Sequence, residues 1–196
     1  MESIQKKFTT SMGKANTFTL VKGDIATVPA QAMITSVNPG GAWWGAIDNL
    51  LDVACGAPKY TSDNQFHNQI HAFAGRRGGL RQGDVIVAKK QKPHTAKFED
   101  VIFVVDEPSG PLRDVVYAAL QAAGEAGYTS VSLPAIRCAV MLGVVEKDAQ
   151  TAVGELLQGV TNYFADYPES SISNTIFVIY SSGEVFNLLQ SSKLLK

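Results

Sequence analysis

Three stretches of this 196-residue chain carry residue types suited to ligand chemistry, and two of them suit an anion. In the first, an apolar run at 33–37 breaks at Asn38-Pro39-Gly40-Gly41, passes Trp43-Trp44, and restarts with helical spacing at Gly45-Ala46-Ile47. A strand, a glycine turn and a helix start converge backbone N–H groups, and the helix dipole favours negative charge, which is how phosphate is cradled. The same glycines also serve a plain sharp turn, so both readings stand from this stretch alone. In the second, a strand-like run at 130–136 leads into Arg137-Cys138-Ala139-Val140-Met141-Leu142-Gly143, a loop of mostly small residues. In the third, Gly23-Asp24-Ile25 ends a short apolar run and presents a carboxylate at a strand end.

Other candidate groups read more plainly. His67 and His71 are four apart, a spacing that chelates zinc on a helix. No glutamate stands beside His67 and the pattern offers no third ligand, so no metal is expected. Arg76-Arg77 before two glycines either clamps an anion or is solvated, the default for loop charges. Lys89-Lys90-Gln91-Lys92 lacks interleaved aromatics and reads as a solvated strand edge. Cys55 and Cys138 are too few for a disulfide framework and lack metal-ligand spacing.

The elements that must position these groups alternate along the chain. Strands are expected at 18–21, 32–37, 84–88, 101–105, 130–136 and 175–180, with helices at 46–54, 112–126, 146–163 and 184–195. Gly127 marks one helix end, and Gly56 with Pro58 another. Residues 1–16 are polar and aperiodic, a lead-in before a single domain at 17–196. This order predicts an α/β fold, a mixed and mostly parallel sheet with helices on both faces. Ligands of such sheets sit beyond the carboxyl ends of the strands, where both small-residue loops lie.

Composition narrows the classes. Hydrophobic residues at 45% and charged residues at 18% describe a globular chain with a core, not a disordered one. A net charge of −1 supplies no field to recruit nucleic acid or an acidic membrane. No apolar run reaches spanning length, and MESIQKKF lacks a signal-peptide core. The expectation is a cytoplasmic protein.

In order, these pieces resemble the macrodomain family, the ADP-ribose-binding α/β/α fold of the Appr-1-p processing type. The resemblance runs over about 17–192: GDIATVPAQAMITSVN, GGAWWGAI, RQGDVIVAKK with VIFVVDEP, LPAIRCAVMLG, and IFVIYSSGEVF. It implies that Asp24 accepts from the adenine amino group and Ile25 supports the base. It aligns Asn38 with the asparagine that contacts the distal ribose. Gly40, Gly41 and Gly45 would admit the diphosphate and ribose, and 138–143 would offer backbone N–H groups to the phosphates. Tyr180 would stack beside the adenine. No cofactor is implied, and the partner is ADP-ribose, free or on a protein.

Departures from the family pattern are specific. Thr35 stands where the first of two asparagines falls, and only Pro39 separates Asn38 from the glycines. Trp44 occupies the place where hydrolytic members often carry an aspartate; tryptophan stacks or blocks but does no acid–base work. Asp48, just inside the helix, reads as a first-turn charge rather than a replacement acid. Arg137 and Ala139 stand in place of a serine-threonine-glycine run, and Arg137 either pairs with phosphate or reaches back to fill an emptied site. The leading expectation is thus an ADP-ribose-binding module. The alternatives are an ADP-ribosyl hydrolase and a degenerate scaffold with Trp43 and Trp44 closing the pocket.

Overall fold

The computed structural model describes residues 2–10, 13–42, 46–55, 58, 60–139 and 141–192, with the backbone alone at Phe8, Ala46, Asp48 and Asn49. Trp43, Trp44, Gly45 and Val140, and the side chain of Asp48, therefore lie outside what is described. Within the described residues the strands are β1 (Glu2–Thr9), β2 (Ala15–Lys22), β3 (Ala30–Val37), β4 (Val85–Ala88), β5 (Phe98–Val105), β6 (Ser130–Pro134) and β7 (Asn174–Ile179). The helices are α1 (Ala46–Cys55), α2 (Gln65–Arg77), α3 (Leu112–Glu125), α4 (Ala149–Asp166) and α5 (Gly183–Ser191). The sheet order is β1-β2-β7-β6-β3-β5-β4. Five central strands are parallel, and the two edge strands, β1 and β4, run antiparallel to their neighbours.

Both sheet faces are covered, and this explains the unbroken apolar runs of the central strands. Alternate residues serve opposite layers. From β3, Ala32 and Ile34 pack with α3, α4 and α5, while Met33 and Val37 pack with α1 and α2. From β5, Ile102 and Val104 face the first group, and Val101, Phe103 and Val105 face the second. Phe18, Phe66, Phe98, Phe103 and Phe177 are fully buried. Each such side chain contributes about 1.5–3 kcal/mol.

Three elements differ from the sequence expectation. Residues 2–9 of the lead-in pair along the whole of β2, which itself starts at Ala15. The helix expected from 146 starts at Ala149, because the Asp148 side chain accepts from Thr151 N and caps it. Glu146 thus lies outside the helix. Finally, α2 forms where no helix was read. Asn64 Oδ1 caps it by accepting from Phe66 N and His67 N, and Phe66 and Ile70 anchor it. Two of its polar residues, Gln65 and Gln69, serve the neighbouring backbone rather than solvent. Gln69 accepts from Lys89 N at 2.9 Å and donates to Lys89 O at 2.7 Å. Gln65 accepts from the N–H groups of Gln91 and Lys92 and donates to Lys92 O. The backbone running on from edge strand β4 is therefore paired by side-chain amides.

Candidate functional site

The parallel strands β2, β7, β6, β3 and β5 bring their carboxyl ends to one edge, and most of the sequence-predicted residues gather there. At the β2/β7 end, Gly23 N donates to Ile179 O at 3.0 Å. Asp24 follows Gly23 at this junction, and Tyr180 is the first residue past β7. Asp24 Oδ1 accepts from Ala26 N at 2.9 Å and caps a 3-10 turn over Ile25–Thr27. Its Oδ2 has no protein partner among the described residues. Tyr180 is 70% exposed. Ile25 sits differently from Tyr180: its side chain is buried in the α1/α2-side core and supports the turn from beneath.

Past β3, the first loop is closed by its own asparagine. Asn38 N donates to Ala42 O, Gly41 N donates to Asn38 O, and Asn38 Oδ1 accepts from Ala42 N at 3.0 Å. One side-chain oxygen of Asn38 is thus spent on loop shape, leaving its amide N–H groups to donate. Gly41 has φ +81, a left-handed conformation that costs other residues about 1–2 kcal/mol. Thr35 is buried within β3.

Past β6, the second loop is held from a distance. Arg137 has φ +61, uncommon for a residue with a side chain. Its guanidinium donates from Nε to Asp106 Oδ2 at 3.0 Å, from Nη2 to Asp106 Oδ1 at 2.5 Å, and from Nη1 to Glu146 Oε1 at 2.8 Å. The three side chains are 1%, 9% and 4% exposed for Arg137, Asp106 and Glu146. Burial alone would lower the Arg137 pKa; the two carboxylates outweigh it and hold the value above the ordinary one. Of the two sequence readings for Arg137, the structure shows the one in which it reaches back into the protein. There its charge is shared by two carboxylates.

The backbone of this loop is also partly committed. Cys138 N donates to Ala135 O, Leu142 N to Ala139 O, and Gly143 N to Glu146 O. The N–H groups of Ala139 and Met141 have no intramolecular partner among the described residues. Cys138 is buried, and burial, then the Glu146 charge, pushes its thiol up to about 12. A nucleophilic thiolate at this place is excluded at neutral pH.

The remaining candidates lie elsewhere. His67 and His71 stand 6.3 Å apart between ring centroids on α2. Burial, then the His71 charge, lowers the His67 pKa. No group of three metal-capable side chains exists among the described residues. Arg77 pairs with Asp84 at 2.9 Å, while Arg76 is exposed. Lys89 and Lys90, read as solvated, are paired with Asp100 and Glu99 at 3.1 and 2.7 Å. No helix of the described residues is long and apolar enough to cross a membrane. Two cavities, of about 360 and 380 Å³, lie between α2 and β4 and at the carboxyl ends of α3 and α4. Neither is lined by Asp24, Tyr180 or either loop.

Asp106 and Glu146 are the residues that sequence reasoning missed. Asp106 read only as a strand stop and Glu146 as the first residue of a helix. The available signal was an arginine inside a loop of mostly small residues.

No family model matches the chain, and no curated protein matches it in sequence. Solved structures do match it in shape. The Oceanobacillus iheyensis macrodomain with ADP superposes at TM-score 0.68 and 16% identity, covering 97% of this chain and 95% of that one. A mutant of that macrodomain with ADPR gives 0.68 at 18% identity, covering 95% of each chain. The Trypanosoma brucei macrodomain in complex with ADP-ribose gives 0.65 at 13% identity, covering 88% of this chain and 67% of that one. At these identities the likeness is one of fold, and it agrees with the strand order, the mixed sheet and the two helical layers. The chain has the three-layer α/β/α fold of the macrodomains.

Proposed function

We propose that this protein binds ADP-ribose or a related adenine nucleotide derivative, free or carried on a protein, in the cytoplasm. One observation carries the reading: an exposed tyrosine and an open carboxylate oxygen at the β2/β7 end share a sheet edge with two loops built around left-handed residues. From β2 to β3 is three strand spacings, roughly 14 Å. A ligand with a base at one end and a diphosphate along its length fits that arrangement. Asp24 Oδ2 would accept from an exocyclic amine, and the exposed Tyr180 ring would offer a stacking face. The N–H groups of Ala139 and Met141, with the Asn38 amide, supply donors without a cationic side chain. ADP and ADP-ribose in the structural neighbours support the same reading.

Calorimetric titration with ADP-ribose, with AMP and NAD as comparisons, tests it. Micromolar binding preferring ADP-ribose is the expected result. Absence of heat with all three would overturn it and favour the scaffold reading. The hydrolase alternative draws only on Asn38 among the described residues, and a carboxamide supplies no acid–base catalysis at neutral pH. Turnover of an ADP-ribosylated protein would establish that alternative.

A further inference from the structure

We propose that Arg137 and Asp106 form a joint that sets the gap between the two ligand loops, making Arg137 a positioning residue rather than a ligand contact. The proposal rests on the binding reading above for its consequence, but not for its geometry. In the sheet, β3 lies between β6 and β5. Asp106, just past β5, donates its N–H to Val37 O at 2.8 Å, at the last residue of β3. The first loop begins at the next residue, Asn38. The same Asp106 takes the Arg137 fork through both carboxylate oxygens. Backbone of the first loop's strand and side chain of the second loop therefore meet on one residue, across the end of β3.

Three features show that the second loop's shape depends on this joint. Arg137 sits at φ +61, a conformation that persists where surrounding contacts over-determine it. Its contacts are a bidentate carboxylate on one side and Glu146 on the other, all nearly buried, so the arginine has little freedom. Glu146 in turn accepts through its backbone oxygen from Gly143 N at 2.8 Å, closing the far end of the same loop. Both ends of 137–146 are thus fastened to one guanidinium. Between them lie the unpaired N–H groups of Ala139 and Met141, whose direction the fastening fixes.

The joint and a direct phosphate contact predict opposite results for Asp106. Three variants suffice: Arg137→Lys, Asp106→Asn, and the double. Amide hydrogen exchange without ligand is read first, because it does not depend on what the protein binds. The joint predicts exchange at least tenfold faster at the hydrogen-bonded amides of Cys138, Leu142 and Gly143 in each single variant, with β3 and β5 unchanged. Unchanged exchange in both single variants would overturn it. ADP-ribose titration is read second. The joint predicts about a tenfold loss in each single variant, no further loss in the double, and an unaltered dependence on ionic strength. Asp106→Asn binding as well as or better than the parent, with Arg137→Lys keeping affinity and salt dependence, would instead assign Arg137 to the phosphate. If the parent protein binds no ADP-ribose, the binding reading fails, and the exchange measurement still decides the joint.

Discussion

Strand β5 carries an aspartate near each end, and the two are tied across β3 in opposite ways. Near its start, Asp100 accepts from Tyr128 Oη at 2.5 Å and from Lys89 Nζ at 3.1 Å, with Lys89 also 4.4 Å from the centroid of the Tyr128 ring. The lysine of that tie is wet, its side chain 55% exposed, while Tyr128 is buried. Past its other end, Asp106 holds Arg137 in a dry network. An exposed lysine can leave and return with little consequence. A buried guanidinium shared by two carboxylates cannot, because removing one partner strands a charge. At the amino-terminal end of the sheet the lysine is therefore expendable, whereas the end that carries the ligand loops has no partner that can leave cheaply.

The largest test of this contrast is Arg137→Met, which leaves two carboxylates buried and should cost about 3–5 kcal/mol in urea unfolding. Replacing Asp106 and Glu146 by leucine in the same chain should recover most of that loss. A cost below about 1 kcal/mol would mean that water reaches the network and that the two ends are alike. Next is Tyr128→Phe, which removes a hydrogen bond to a carboxylate and should cost about 1.5–3 kcal/mol.

That variant also carries a pH signature. Burial alone would raise the Asp100 carboxyl, but hydrogen bonds from Tyr128, Lys90 N and Lys89 outweigh it and hold it below its ordinary value. The resulting stability is present above the ordinary carboxylate range and is lost as pH falls through the depressed folded value. Tyr128→Phe should therefore flatten the acid limb of a stability–pH profile, and an unchanged limb would remove Tyr128 from the cause. Asp24→Ala should weaken ADP-ribose binding by about 1–3 kcal/mol through a lost charge-assisted bond, and loss of the cap on Ala26 N should cost about 0.5–2 kcal/mol of stability. Equal affinity would take Asp24 out of the base site. Smallest is Lys89→Ala, expected to cost under about 1 kcal/mol and less at high salt; thermal melts at two ionic strengths read it.

Much of the fold was legible because the central strands are apolar on both faces and their helices carry clear stripes. Residues 101–105 and 112–126 needed nothing beyond periodicity. α2 escaped because Gln65 and Gln69 spend their polarity on a neighbouring backbone, which is indistinguishable in sequence from polarity spent on solvent. β1 escaped because Lys6 and Lys7 are exposed and Ile4 is only half-buried, so the strand carries no clear apolar alternation. In the site, Asp24, Asn38 and Gly41 could be placed from local turn chemistry, since each acts within four residues of itself. Arg137 could not. Its partners stand 31 residues before it and 9 after it, and only the sheet order makes the first of them a neighbour.

A β-sheet grows as a polymer does, by adding the next strand to whatever end is open. Past β4, Gln69 presents one donor and one acceptor at the spacing of a strand residue, on a side chain that has no chain beyond it. It acts as a terminator: it accepts the end of the sheet and offers nothing on which a following strand could pair. Over those residues, the protein caps its own growth from within a single molecule.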